Sequence, residues 1–379
     1  MSLYYTKSQR VVRDLDRVEG TQVQIASVRE GKLEINKKVL ENILMKPQWK
    51  DERVMVLSIA GIFQSGKSFL LNLLIRYLSQ NCKDRWMDNQ ESNVDRFDWS
   101  KNTGTSGIWM WSKVFYILDS DGIKFGVLLM DTQGTPDPYS ATNEDALLFA
   151  FSTLISSIQI YNLKSDINDA DLQFLQQVAR YGTSVTGDKK PFKSLLFLIR
   201  DWQNQHECNF GKDGGIKCLT KCMDKNQDLK QSIHQVFENI SCFLMPRPVE
   251  NAWNTSICQV KDIVEQFLVQ MKALFKILFS SKISEVKEID GDDVTCARLL
   301  DYFQLYEKSI NKVKFEIASK IEPRREYLHV GGGNDSGSSG TGGARASAAK
   351  TATVVTKIGN SDSVYKPKKD KRVQSEPKC

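Results

Sequence analysis

The sequence predicts an α/β fold: a mostly parallel sheet flanked by helices and carrying a P-loop, then a short helical extension and a disordered tail. Three observations carry this expectation. An apolar run, Val54 to Ala60 with Ser58 within it, leads into Gly61-Ile62-Phe63-Gln64-Ser65-Gly66-Lys67-Ser68, and Phe69, Leu70, Leu73, Leu74 and Tyr77 then fall on one helical face. Further short apolar runs alternate with helical stretches as far as residue 245, which indicates parallel strands buried on both faces. From Gly331 the chain turns to Gly, Ser, Ala and Lys, too few apolar groups to offset the entropy of ordering.

Residues 1–20 read as a polar lead-in, and 21–295 as one large domain. Val23 and Ile25 alternate with polar neighbours, Arg29 to Lys32 reads as a turn, and Leu33 and Ile35 follow, which predicts a hairpin. Val54–Ala60 is the first buried strand, and others are expected at Val114–Leu118, Phe125–Met130, Leu195–Ile199 and Cys242–Met245. Helices are expected over Asp145–Ser157, Asp169–Tyr181 and Asp228–Asn239. Leu299, Phe303, Tyr306, Ile310, Val313, Ile317 and Ile321 form an apolar stripe at spacings of four and three, so 296–330 reads as a helical extension stopped by Glu322-Pro323. Residues 331–379 form the tail.

With 379 residues, 41% of them hydrophobic and 26% charged, the chain can bury a substantial core. The net charge of +6, from 52 basic and 46 acidic residues, is modest and partly sits in the last residues, so no nucleic-acid partner is expected. No run reaches the roughly 20 apolar residues of a membrane-spanning helix. The best candidate, Ala146 to Ile158, is broken by Ser152, Thr153, Ser156 and Ser157, and Met1 to Gly20 lacks a signal-peptide core. A cytoplasmic protein with no transmembrane segment and only peripheral membrane contact is expected. Eight cysteines lie without a framework spacing, which suits free thiols; His206, Cys208, Cys218, Cys222 and His234 make a weak zinc candidate without any CxxC pair.

The segment from Gly61 to Ser68 matches GxxxxGK[ST] between a buried strand and an amphipathic helix. Its glycines let backbone N–H groups wrap phosphates at a helix N-terminus. Lys67 is expected to reach the β- and γ-phosphates, and the Ser68 hydroxyl to ligate Mg²⁺. Gln64, Ser65, Gly66 and Phe69 complete the candidate contacts of this loop. Asp131 ends the apolar run Val127 to Met130, where a carboxylate can hold the Mg²⁺ shell, and Gln133 and Gly134 follow as candidate nucleotide contacts. Between these segments, Asn102 to Trp111 reads as a polar loop. Thr105 is expected to complete Mg²⁺ coordination, and Thr103 or Ser106 could position water.

The apolar run Leu195–Ile199 delivers Arg200 and Asp201. An aspartate there accepts both the N1–H and the N2 amine of guanine, a pair adenine does not offer, and a planar guanidinium can stack near the base. That makes GTP and GDP the expected ligands and disfavours an ATP-using phosphotransferase.

Taken together, GIFQSGKSFLLNLLIRYL, TSGIWMWSKVF, LLMDTQGTPD, LISSIQIYNL, SLLFLIRDW and NISCFLMPRP resemble the atlastin branch of the dynamin-superfamily GTPases, with a more distant likeness to guanylate-binding proteins. The likeness spans roughly residues 21–305. It implies a GTPase domain that dimerises when GTP is bound, as a homodimer or with atlastins, in the service of endoplasmic-reticulum membrane organisation. It also implies that the loop from Pro248 to Asn254 caps the guanine, with Asn254 as its candidate contact.

Two departures from the family stand out. Atlastins carry an arginine finger in the P-loop where this chain has Gln64, which bears no charge. Such fingers are worth about 10³–10⁵ in rate, so slow hydrolysis with Lys67, Thr105 and Gln64 as the catalytic set is expected. The family also continues into a helical bundle, two membrane segments and an amphipathic tail, against which this chain reads as C-terminally truncated. The alternative reading is a catalytically weak, nucleotide-gated module that regulates full-length atlastins.

Overall fold

The predicted hairpin forms as Gln22–Arg29 (β1) and Lys32–Ile35 (β2), closed by a two-residue turn in which Glu30 and Gly31 both take positive φ, 52° and 71°. Turns of this hand match the twist of the paired strands. The computed structural model describes residues 20–62, 65–82, 87–89, 107–118, 124–132, 141–187, 190–225, 227–249, 259–279, 286–289 and 291–313. After α1 (Lys37–Leu44) come β3 (Val54–Gly61), α2 (Lys67–Ser79), β4 (Gly107–Trp111), β5 (Phe115–Leu118) and β6 (Lys124–Thr132). Then follow α3 (Asn143–Ile155), β7 (Ile158–Lys164), α4 (Asp169–Thr186), β8 (Phe192–Arg200), α5 (Gly211–Asp224), α6 (Gln227–Val236) and β9 (Phe237–Leu244). Helix α7 (Glu265–Leu278), the short pair β10 (Glu288–Ile289) and β11 (Asp292–Asp293), and α8 (Cys296–Ile310) complete the described elements.

The main sheet runs β2-β1-β4-β6-β3-β7-β8-β9, with β5 also pairing β6. From β6 to β9 every pairing is parallel, while β1, β2, β4 and β5 are joined antiparallel. This is the mostly parallel, helix-flanked sheet the sequence predicts. Strand β3 is buried at all eight residues, and its side chains divide by alternation. Met55, Leu57 and Ile59 pack with α2 and α7, whereas Val54, Val56 and Ala60 join the core built on α3, α4, α5, α6 and α8.

Helix starts are written in short polar signals. Thr142 and Asp145 form a reciprocal capping box at α3, and Asn168 and Asp171 another at α4. Gly187, at φ 74°, ends α4. Helix α8 buries Leu299, Phe303 and Ile310 in the same core as α3, each side chain contributing about 1.5–3 kcal/mol relative to exposure.

Several expectations change. The helix expected over Asp228–Asn239 stops at Val236, and Phe237 begins β9, its ring 4.9 Å from Phe192 on the neighbouring strand. Exposed Glu238 and Asn239 disguise the first half of that strand. Part of the expected polar loop, 107–111, is strand β4 between β1 and β6. The stripe helix ends at Ile310, and Asn311 just beyond it turns its side chain onto the backbone of Leu33, Oδ1 accepting at 2.9 Å and Nδ2 donating at 2.8 Å. Ile317, Ile321 and the tail 331–379 lie outside the described residues.

Candidate functional site

Strand register assembles the site at the C-terminal edge of the parallel strands. Ile59 lies opposite Asp131, Gly61 opposite Asn162, and Lys164 opposite Arg200. Ligands of open α/β sheets bind at this edge.

Gly61 leaves β3 at φ 150°, with the Asn162 carbonyl so close that a Cβ would sit 2.1 Å from its oxygen. Only glycine lets the two strands continue past each other here. Asn162 then braces the loop from the side: its Nδ2 donates to the Ser65 carbonyl at 3.0 Å and to the Ser65 hydroxyl oxygen at 2.7 Å. That hydroxyl in turn donates to the Ile62 carbonyl at 2.6 Å. Gly66 caps α2 in the left-handed region, φ 79°.

Lys67 begins α2 and folds back over the loop. Its ammonium donates to the carbonyls of Gly61 at 3.1 Å and Ile62 at 3.0 Å. Burial lowers its pKa and the neighbouring Asp131 carboxylate opposes that shift, so the two charges share one pocket. Ser68 follows in the first turn of α2, half-buried, and Asp131 is buried near the end of β6. A hydroxyl and a carboxylate are hard oxygen donors, the set that suits Mg²⁺.

Arg200 is buried, and its Nη1 donates to the Gly66 carbonyl at 3.2 Å. Its guanidinium lies 6.0 Å from the ring centre of Phe69 and 5.7 Å from that of Phe267, inside cation–π range. Burial pulls its pKa down and Asp201 opposes the shift. The structure brings its guanidinium to the P-loop glycine. Asp201 follows at φ 58°, a left-handed conformation that aspartate tolerates better than most residues. The chain is anchored just beyond it, where the Trp202 indole donates to the Cys208 carbonyl at 2.8 Å.

Ser65, Gly66, Lys67, Ser68, Phe69, Asp131, Arg200 and Asp201 are thus described at this edge. Gln64, Thr103, Thr105, Ser106, Gln133, Gly134 and Asn254 lie outside the described residues. Sequence reasoning missed Asn162; its signal was the run Ile158 to Leu163, rich in β-branched and aromatic residues, within which it lies.

The weak zinc candidate divides. His206 and His234 are both exposed and join no ligand cluster among the described residues, whereas Cys218 and Cys222 converge with Asp166. The six described cysteines are free thiols. Hydrogen bonding between Cys218 and Cys222 raises the pKa of the first and lowers that of the second.

Residues 30–288 match the model of the guanylate-binding protein N-terminal domain. Atlastin-1 of Rattus norvegicus is 39% identical over 300 residues, covering 76% of this chain and 54% of its own. Atlastin-2 of Homo sapiens is 37% identical over 300 residues, 76% of this chain and 52% of its own. Atlastin-2 of Xenopus laevis is 36% identical over 307 residues, 78% and 54% respectively. The chain spans about half the length of these relatives. Among the described residues no helix is long and apolar enough to cross a membrane.

Proposed function

Because the chain belongs to the guanylate-binding-protein family of GTP-binding GTPase domains, matched over residues 30–288, we propose that it binds GTP with Mg²⁺ and hydrolyses it slowly. The observation that carries this reading is Lys67, whose ammonium is held over the P-loop by the carbonyls of Gly61 and Ile62 and beside Asp131. Lys67 and the loop amides take the β- and γ-phosphates, and Asp201 reads the guanine edge. Ser68, Thr105 and Asp131 hold Mg²⁺, which neutralises phosphate charge when bound. Arg200 acts from behind: by fixing Gly66 it sets where the first amides of α2 point. Water attacks the γ-phosphate in line, Lys67 and the loop amides meet the charge that develops, and with Gln64 in the finger position no arginine of the P-loop adds to them.

The atlastin likeness supports two further parts of the proposal: GTP-dependent pairing with a second GTPase domain, and work at the endoplasmic-reticulum membrane. Single-turnover hydrolysis, with GTP–ATP competition and sedimentation in each nucleotide state, tests the whole. The reading fails if the protein binds both nucleotides equally. Gln64 favours a second reading, a module that pairs without turnover; GTP-dependent association with no phosphate release would select it.

A further inference from the structure

We propose that Asp166, Cys218 and Cys222 form a binding site for one thiophilic divalent cation of the Zn²⁺ class, outside the nucleotide pocket. Asp166 lies two residues beyond the end of β7, while Cys218 and Cys222 sit four apart on α5 and so project from one face. The two sulfurs and a carboxylate oxygen all lie within 4.8 Å of one another, and Cys222 Sγ is 4.0 Å from Asp166 Oδ1. Zinc arms of about 2.3 Å to sulfur and about 2.0–2.2 Å to oxygen, at tetrahedral angles, set such donors roughly 3.5–3.8 Å apart. Closing on an ion therefore needs side-chain adjustment of about an ångström or less.

The surroundings suit a metal. Burial is graded, from buried Cys218 through half-buried Cys222 to exposed Asp166, which leaves a solvent side for the ion to enter and for water as a fourth ligand. Asp166 is already oriented, because its Oδ1 accepts the Ile167 amide at 2.8 Å. Lys221 and Lys225 add positive charge beside Cys222, which moderates the accumulated negative charge of the three ligands. Two sulfur donors favour zinc-like ions over Mg²⁺ or Ca²⁺. Cys242, on the strand beneath, feels the charge of Cys222 but lies outside the donor triangle.

A bound ion would fasten the turn after β7 to α5. That turn also carries Ser165, whose amide donates to the Arg200 carbonyl at 2.7 Å.

The full chain, reduced and stripped with a chelator, is titrated with Co²⁺ and then with Zn²⁺, reading the thiolate-to-cobalt charge-transfer band. The expected result is saturation at one equivalent, displacement of Co²⁺ by Zn²⁺, and loss of the band in Cys218→Ser/Cys222→Ser. Asp166→Asn, at an exposed position, is expected to weaken binding at least about tenfold with an unchanged circular dichroism spectrum. Cys242→Ser is expected to leave the band as it was. The absence of a charge-transfer band, its survival in the double serine variant, or an unchanged affinity in Asp166→Asn would each overturn the proposal. Should the double variant fail to fold, Asp166→Asn decides alone.

Discussion

Arg200 donates through Nη1 to the carbonyl of Gly66 at 3.2 Å, across 134 residues of chain. The bond links the end of β8 to the start of α2, so the strand that leads into Asp201 also steadies the turn that leads into Lys67. Arg200→Ala is expected to cost roughly 1–3 kcal/mol, through the lost hydrogen bond and the lost contacts with the rings of Phe69 and Phe267. It is also expected to weaken GTP binding. Arg200→Lys keeps the charge but loses the flat fork, so it is expected to fall between the two. Urea unfolding and a fluorescent-nucleotide titration measure both effects; unchanged values in Arg200→Ala would refute the brace.

In the proposed function Asp201 sets the base preference. Its replacement by asparagine is expected to weaken GTP binding and shift preference toward xanthosine nucleotide, whose ring offers a carbonyl where guanine has an amine. Competition titrations with GTP, xanthosine triphosphate and ATP read the order directly. If Asp201→Asn leaves that order intact, another group reads the base.

In the proposed function position 64 separates binding from turnover. On that reading P-loop amides and Lys67 would hold phosphate without it, whereas charge developing in the transition state calls for a further cation there. Gln64→Arg is therefore expected to raise the single-turnover rate at least tenfold, about 1.4 kcal/mol, with little change in affinity for a non-hydrolysable GTP analogue. Brisk turnover by the unaltered chain, with no gain in Gln64→Arg, would mean that another arginine, such as Arg76, Arg96 or one from a partner chain, supplies the charge.

Lys287 makes stability depend on pH. Its buried ammonium donates to the Ser156 carbonyl at 2.9 Å; burial, then Lys193, pulls its pKa down to about 7, while Glu238 opposes the shift. In the unfolded chain the same amine titrates near 10.4. Between about 7 and about 10 the unfolded state binds the extra proton, so stability rises with pH across that window and is flat below it with respect to this group. Lys287→Met is expected to flatten the rise, worth up to a few kcal/mol, in melts taken from pH 7 to 10. An identical pH profile in the variant would show that the amine does not titrate there.

Much of this architecture was legible because β3, β6 and β8 are largely buried on both faces and so read as mostly apolar runs. Strand β7 was not, since Gln159 and Asn162 interrupt it. Gln159 is fully buried, yet its Oε1 accepts from the Ser152 hydroxyl at 2.8 Å, and Ser152 also bonds Ser58 on β3 at 2.7 Å. Ser152, which helps to break the apolar run of α3, and Gln159, which breaks β7, thus satisfy each other. No local pattern shows such a pairing. The same limit hid the roles of Asn162 and Arg200: motif spacing placed residues along the chain, but only the strand order puts Asn162 against Ser65 and Arg200 against Gly66.

The Asn311–Leu33 pair bears on how the molecule avoids its own kind. β2 is the outermost strand on its side of the sheet, and an outermost strand is a template for another chain. Here Asn311 takes both the amide and the carbonyl of Leu33, and Glu307 takes the amide of Ile35 at 3.0 Å. At the far side, β9 accepts an antiparallel bridge from Gly211 at Leu244. Side chains of one helix and the first residue of another thus occupy groups that an incoming strand would need, so adding a strand to the sheet is a poor route to aggregation, and association is left to other surfaces.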